Sequence, residues 1–423
     1  MNSFVMEGTF VFTPKKDEFV IREDSFIVVM NNKVVGIFDE VPSEYSSLKI
    51  INNKGNIIIP GLIDLHVHAS QYKFRGSGMD LELLDWLNTY TFPEESKFKD
   101  ASYAKKIYSA FVDELKLGPT TRACMFATLH KDATLILMDL LEASGLESYV
   151  GKINMDRNSP DYLVETTQQS LNETRNWILE ALKRNYKNTK CILTPRFTPS
   201  CSDELMSGLK EIQDDYGIPL QSHLSENKKE IEWVKELEPW ADNYGEAYNQ
   251  FGLMGDCPKT IMAHCVSCPE DEVSLLKEKG VYVAHSPESN INISSGIAPI
   301  RKYLDKGLNV GLSTDMSGGS SPSMFRAIQF SIQASKLYWR LVDKSYSSLS
   351  TSEAFYLATK GGGSFFGKVG SFEEGFEFDA VVIDDSTIPF SSEFSVLNRV
   401  EKVIYLADNS NIKEKYVNGR SVL

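Results

Sequence analysis

From Pro60 onward the chain alternates short apolar runs with longer amphipathic stretches, the pattern of a parallel sheet whose strands are joined by crossover helices. Eight runs stand out: LIDLHVH (62–68), TTRACMF (120–126), YVGKINM (149–155), CILTP (191–195), PLQSH (219–223), TIMAH (260–264), VYVAHSP (281–287) and NVGLSTD (309–315). Between them lie helix candidates such as YAKKIYSAFVDELKLG, SLNETRNWILEALKRN, DELMSGLKEIQDDYG and EDEVSLLKEKG. Eight strand and helix alternations predict an α/β protein built on a TIM-like β/α barrel.

The two ends of the chain read differently. The first 60 residues carry short strands with turn signals, FVIRE, FIVVMNNKVVGIF with Asn31-Asn32 as a hairpin turn, and NIIIP. After the eighth run, SMFRAIQFSIQASKLYWRLV predicts a long helix, and Ser350 with Glu353 forms a capping-box pattern opening SEAFYLATK. The tail from Gly370 reads as β again, through FDAVVID, KVIYLAD and KYVNGRSVL. β segments at both ends predict one small composite β-sandwich from residues 1–60 and 367–423, beside a barrel domain of residues 61–366.

Composition narrows the classes. A chain of 423 residues exceeds what one hydrophobic core usually supports, while 42% apolar residues is ordinary for a globular protein. The formal charge of -14 opposes the phosphate-neutralising surface that nucleic-acid binding requires, so no nucleic-acid partner is expected. The N-terminal stretch has no basic region followed by an apolar core and a cleavage site, and no window approaches a membrane span, so a cytoplasmic protein without a membrane partner is expected. Six scattered cysteines suggest reduced thiols. Cys265 and Cys268 make a CxxC, but no second CxxC accompanies it, and two buried thiols are favoured over a redox or zinc role.

Histidine is scarce, six in the whole chain, and five of the six fall at the ends of predicted strands. His66 and His68 end the first run, His223 the fifth and His264 the sixth; His285 lies late in the seventh, and Asp315 closes the eighth. Barrel enzymes carry their chemistry at the C-terminal ends of the strands. Residues i and i+2 of a strand share a face, so His66 and His68 can converge on one ion. A zinc-type site takes neutral imidazoles and often a carboxylate, and His66, His68, His223 and Asp315 supply that set. Glu226, three residues past His223, is placed for proton transfer, whereas Glu230 and Glu232 read as solvated surface charges.

The motifs PGLIDLHVHASQ, TPRF, QSHLSEN, MAHC and GLSTDMSGG, in this order and spacing, resemble the amidohydrolase superfamily over nearly the whole chain. HASQY, MDLELLDWLNTYTFP, FATLH and TPRF are similar to the guanine deaminases within it. The resemblance implies one Zn2+ per subunit, with iron as an alternative, held by His66, His68, His223 and Asp315. It also implies Glu226 as a proton shuttle, His264 at the reacting centre, hydrolysis of guanine with water to xanthine and ammonia, and a homodimer. The bridging lysine of the binuclear branch has no counterpart at the fourth strand end; Lys152 belongs to the third run.

Guanine presents two adjacent acceptors, O6 and N7, which suit an arginine fork, and Arg196 sits at the fourth strand end; a structural ion pair at the barrel rim is the alternative. Gln71 offers a donor and an acceptor to another part of the ring, and Phe197 and Trp86 offer stacking surfaces, although Trp86 and Phe92 are also explained as packing in a loop lid. Arg122 and Glu288 depart from the usual pattern; Arg122 is expected to alter the inner face of the second strand. His285 is expected to line the site, and His130 either lines it or orders the loop after the second strand. A deaminase or chlorohydrolase of another heterocycle (8-oxoguanine, cytosine, a triazine) and a non-catalytic scaffold of the same fold remain as alternative functions.

Overall fold

The computed structural model of the chain describes residues 2–423. Its barrel strands run parallel, Leu62–His68, Thr120–Phe126, Glu147–Gly151 and Thr189–Cys191 in one arc, and Leu220–Leu224, Thr260–His264, Tyr282–His285 and Asn309–Leu312 in the other. The third and fourth runs each break after one short strand and resume as Ile153–Asn154 and Thr194–Pro195, which pair with each other. A parallel bridge from Leu193 to Leu220 joins the arcs on one side. On the other, Asp315 N donates to His66 O (2.9 Å) and His68 N to Met316 O (3.0 Å), which closes the barrel.

The helices start where local chemistry satisfies their first N–H groups. Asp100 caps Ala101–Leu117, Thr166 and Gln169 form a reciprocal box on Thr167–Arg184, and Ser350 with Glu353 forms the expected box on Thr351–Tyr356. Helix Asp203–Tyr216 stops at Gly217, whose φ of +61° is left-handed. Each such helix turns its apolar stripe to the outer face of the strands, where Leu62, Val67, Met125, Leu224 and Val283 meet Phe111, Leu141, Trp177 and Leu209 in one large core. Inside the barrel a smaller cluster of Ile63, Leu65, Cys124, Ile192, Ile261, Ala263 and Ala284 plugs the lower half. No helix among the described residues is long and apolar enough to cross a membrane.

The two chain ends meet in one seven-stranded sheet, in which Ile50–Pro60 lies between Phe4–Lys15 and Ala380–Ile383. It has its own cluster, built around Phe4, Phe10, Phe12, Phe372 and Phe378. The hairpin at Asn31-Asn32 forms as expected, both residues having positive φ (+52° and +71°), which a two-residue turn of this hand requires.

One tail segment differs from its expected state. KVIYLAD belongs to a helix, Val396–Leu406, rather than a strand. Val396, Val400, Val403 and Ile404 recur at helical spacing and are buried, so the amphipathic period overrides the β preference of its valines. Arg122 also has a definite role: it is buried at the start of the second strand. It bonds Asp379 (Nε to Oδ2, 2.6 Å), Glu147 (2.9 Å) and Glu377 (2.7 Å), tying barrel to sheet.

Candidate active site

A β-bulge decides what the first strand presents. Ile63 and Leu65 point into the barrel, so strict alternation would turn His66 and His68 outward. Pairing with the second strand slips between Asp64 (opposite Ala123) and Val67 (opposite Met125), so three steps on one strand match two on the other. The extra residue reverses the parity. His66 and His68 then face inward against Phe126, with ring centroids 4.8 and 4.7 Å from it, while Val67 joins the outer core.

His223 reaches the same point by simple alternation, since Gln221 also points inward, donating to Met125 O and Thr194 Oγ1. His264 does not: Ala263 already fills the inward position, and a left-handed backbone at His264 (φ +72°) and Cys265 (φ +47°) carries the ring to the site. Asp315 lies three residues past its strand, also with positive φ (+44°). Non-glycine residues held in this region cost about 1–3 kcal/mol each and are characteristic of functional sites.

The groups converge closely. His66 Nε2 and His68 Nε2 lie 3.1 and 3.5 Å from Asp315 Oδ1, and His68 Nε2 lies 3.1 Å from His223 Nε2. His264 Nε2 is 3.4 Å from Glu226 Oε2 and 3.8 Å from Asp315 Oδ2. His223 Nδ1–H donates to Arg196 O (2.5 Å) and His264 Nδ1–H to Asn290 Oδ1 (2.8 Å), which leaves each Nε2 lone pair facing the centre.

Electrostatics point the same way. Burial drives His66, His68 and His223 toward the neutral form, and for His68 and His223 the neighbouring His66 adds to it. Burial alone would raise the Asp315 carboxyl, but His66, His264 and Ser289 bring it down to about 2. Glu226 is pushed well above the usual carboxylate range by burial and then by Asp315, with Ser295 Oγ donating to its Oε1 at 3.2 Å.

Neutral imidazoles around an ionised carboxylate form a donor set for a divalent metal. Both ring nitrogens of His66 and Nδ1 of His68 are buried without a hydrogen-bond partner, a cost that metal ligation would remove. His66, His68 and Asp315 can hold an ion together, as can His66, His223 and His264.

A cavity opens above these groups. Its wall includes Gln71, Trp86, Arg196, Phe197, Glu226 and His264, together with Leu83, Leu87 and Ile293, which sequence reasoning did not single out. Leu83, Trp86 and Leu87 share a helical spacing that could have marked them as one face. Trp86 Nε1 donates to Ser77 O, so its ring is anchored as a wall.

One expectation needs correcting, and the other residues noted in the sequence take definite places. Glu230 is not a surface charge: it is 1% exposed, accepts from the backbone N–H of Glu226 and Asn227 and from Tyr244 Oη, and fixes the turn that carries Glu226. His285 follows the inward-facing Ala284 and is buried at the end of its strand. His130 precedes helix Lys131–Ser144 and borders a separate surface pocket with Lys99 and Glu173. Lys152 is fully buried and paired with Glu165 (2.8 Å), away from the metal-competent groups. Cys265 and Cys268 are free thiols. Glu288 bonds Ser320 and Arg326 at the rim.

Sequence comparison bears on the whole of this architecture. The amidohydrolase family profile matches residues 57–422. The chain belongs to the amidohydrolase family. Among relatives of this amidohydrolase, the guanine deaminase of Dictyostelium discoideum is 40% identical over 380 residues, covering 88% of this chain and 84% of its own. That of Escherichia coli is 32% identical over 436 residues, covering 99% and 96%. A crystal structure of guanine deaminase from C. acetobutylicum with guanine bound in the active site superposes with a TM-score of 0.96 at 49% identity, covering 100% of both chains.

Proposed function

We propose that this amidohydrolase is a zinc-dependent guanine deaminase that hydrolyses guanine to xanthine and ammonia. The observation that carries the reading is Arg196, a guanidinium in the cavity wall beside Phe197, in a chain 49% identical end to end to a guanine deaminase with guanine bound. An arginine fork pairs with the O6 and N7 acceptors of guanine and meets a donor where adenine has its amino group. Phe197 and Trp86 provide apolar walls for the ring, and Gln71 a polar one.

His66, His68, His223 and Asp315 would hold the zinc. When bound there, zinc acidifies a water molecule and polarises the reacting centre. The protein's own groups do the rest. Glu226, 3.4 Å from His264 Nε2 and held by Ser295, takes a proton from the attacking water, with Asp315 beside it, and delivers a proton to N3 of the purine, which makes C2 electrophilic. His264, fixed by Asn290, steadies the charge that develops as oxygen adds at C2. The remaining proton of the added oxygen passes to the 2-amino group, which leaves as ammonia as that oxygen becomes O2 of xanthine.

Metal-replete protein should be offered guanine, adenine, 8-oxoguanine, cytosine and an amino-triazine, followed by ultraviolet spectra and ammonia release. Loss of guanine absorbance with stoichiometric ammonia is expected. Turnover of another ring with guanine untouched would overturn the proposal.

A further inference from the structure

We infer that Glu95 sets both the orientation and the net charge of the base-reading wall, acting through Arg196 and Gln71; this rests on the reading of the site as a guanine deaminase. Glu95 closes the short helix Phe92–Glu95 and is 1% exposed. Its Oε2 accepts from Arg196 Nη1 at 2.5 Å, and its Oε1 accepts from Arg196 Nη2 at 3.2 Å and from Gln71 Nε2 at 3.1 Å. Phe92, from the same helix, lays its ring 5.2 Å from the guanidinium carbon. Gln71 Oε1 accepts in turn from Ser317 N at 3.3 Å.

One short helix therefore holds the guanidinium by an edge and a face and fixes which way the Gln71 amide points. Arg196 and Gln71 form part of the cavity wall and Glu95 stands behind them, so Glu95 is a positioning residue. The guanidinium has five N–H donors, and the carboxylate engages two of its nitrogens; the remaining donors are presented as a rigid fork.

The charge consequence is separate from the geometric one. A guanidinium does not lose its proton inside a protein, and an unpaired one in a buried wall attracts anions. Glu95 makes the wall neutral overall, which suits an uncharged purine and keeps anionic purines from being held tightly. The other ionisable groups around the same cavity, His68, His223, Glu226, His264 and Asp315, are common to any comparison made at one pH.

The experiment compares wild type, Glu95→Gln and Glu95→Asp at one neutral pH, with zinc content and melting curves as folding checks. It reads KM and kcat for guanine and the inhibition constants of hypoxanthine, which is neutral, and urate, a monoanion. Loss of the clamp should raise KM by about tenfold or more in both variants. Only Glu95→Gln unmasks the cation, so only there should the preference for urate over hypoxanthine rise, by about tenfold. A purely structural role would raise KM in both variants with that preference unmoved, and this outcome overturns the inference, as does a wild-type KM in both. Should Glu95→Gln not fold, Glu95→Asp carries the test, and a wild-type KM there overturns it. Guanine left untouched by the wild-type protein overturns the proposed function and this role with it; wild-type turnover with indifferent variants overturns this role alone.

Discussion

The main-chain carbonyl of Arg196 accepts the Nδ1–H of His223 at 2.5 Å, so the residue proposed to read the purine also sets the tautomer of a metal-competent histidine. Backbone and side chain of one residue join the two halves of the site. Replacement of Arg196 by lysine keeps the carbonyl and a positive charge but loses the paired donors. Guanine kcat/KM is expected to fall about 10- to 100-fold, the worth of a charged hydrogen bond of about 1.5–3 kcal/mol, with zinc content unchanged. Steady-state kinetics beside metal analysis checks both halves of that statement.

Glu226→Gln removes the proton carrier and leaves the four proposed zinc ligands in place. Turnover should drop by about 10² to 10⁴, the usual contribution of general acid–base catalysis, with stoichiometric zinc retained. A near-normal rate in the folded, zinc-loaded variant would remove Glu226 from the mechanism.

Metal removal should be as telling as mutation. Dialysis against a chelator is expected to abolish guanine turnover and lower the melting temperature by several degrees, because an ion bound only by the folded state stabilises it. Added zinc should restore both. His66→Ala should fail to recover in the same experiment, since His66 belongs to both groupings able to hold an ion.

Glu230 supplies a pH signature. Burial and the neighbouring Glu226 raise its carboxyl from the ordinary 4.5 to about 7, against the opposing hydrogen bonds of Asn227 and Tyr244. The folded state thus holds a proton that the unfolded chain releases above pH 4.5, and the associated stability is present below that value and lost as pH rises through about 7. Relative to Glu230→Gln, which carries no such proton, wild type should lose up to about 3 kcal/mol between pH ~5 and pH ~8. Denaturant unfolding of both proteins across that range measures it; a constant difference would exclude the linkage.

Arg122 tests the joint between barrel and sheet. Its replacement by methionine strands Asp379, Glu147 and Glu377 around a vanished cation, and breaking a buried ion pair from one side typically costs about 3–5 kcal/mol. Chemical denaturation should register that loss, while kcat of the folded fraction stays at the wild-type level because Arg122 lies at the opposite end of the second strand from the site.

The sequence by itself determined the barrel, because short apolar runs separated by amphipathic stretches are local patterns and the runs recur eight times. It also determined the composition of the metal-competent group, because histidine is too scarce to recur at strand ends by accident. It did not determine how His66, His68 and His264 turn inward. A one-residue slip opposite Ala123 and two left-handed residues at His264 and Cys265 do that, and neither follows from strand alternation. Glu95 and Glu230 were hidden for a related reason: charged residues in polar stretches read as solvated until the fold shows what they touch. Arg196 lies 101 positions from Glu95, and only the closed barrel brings its guanidinium within hydrogen-bonding distance of that carboxylate. Residue type and spacing prescribe which groups are available; backbone register and burial, which depend on the whole chain, decide where they point and whether they are charged.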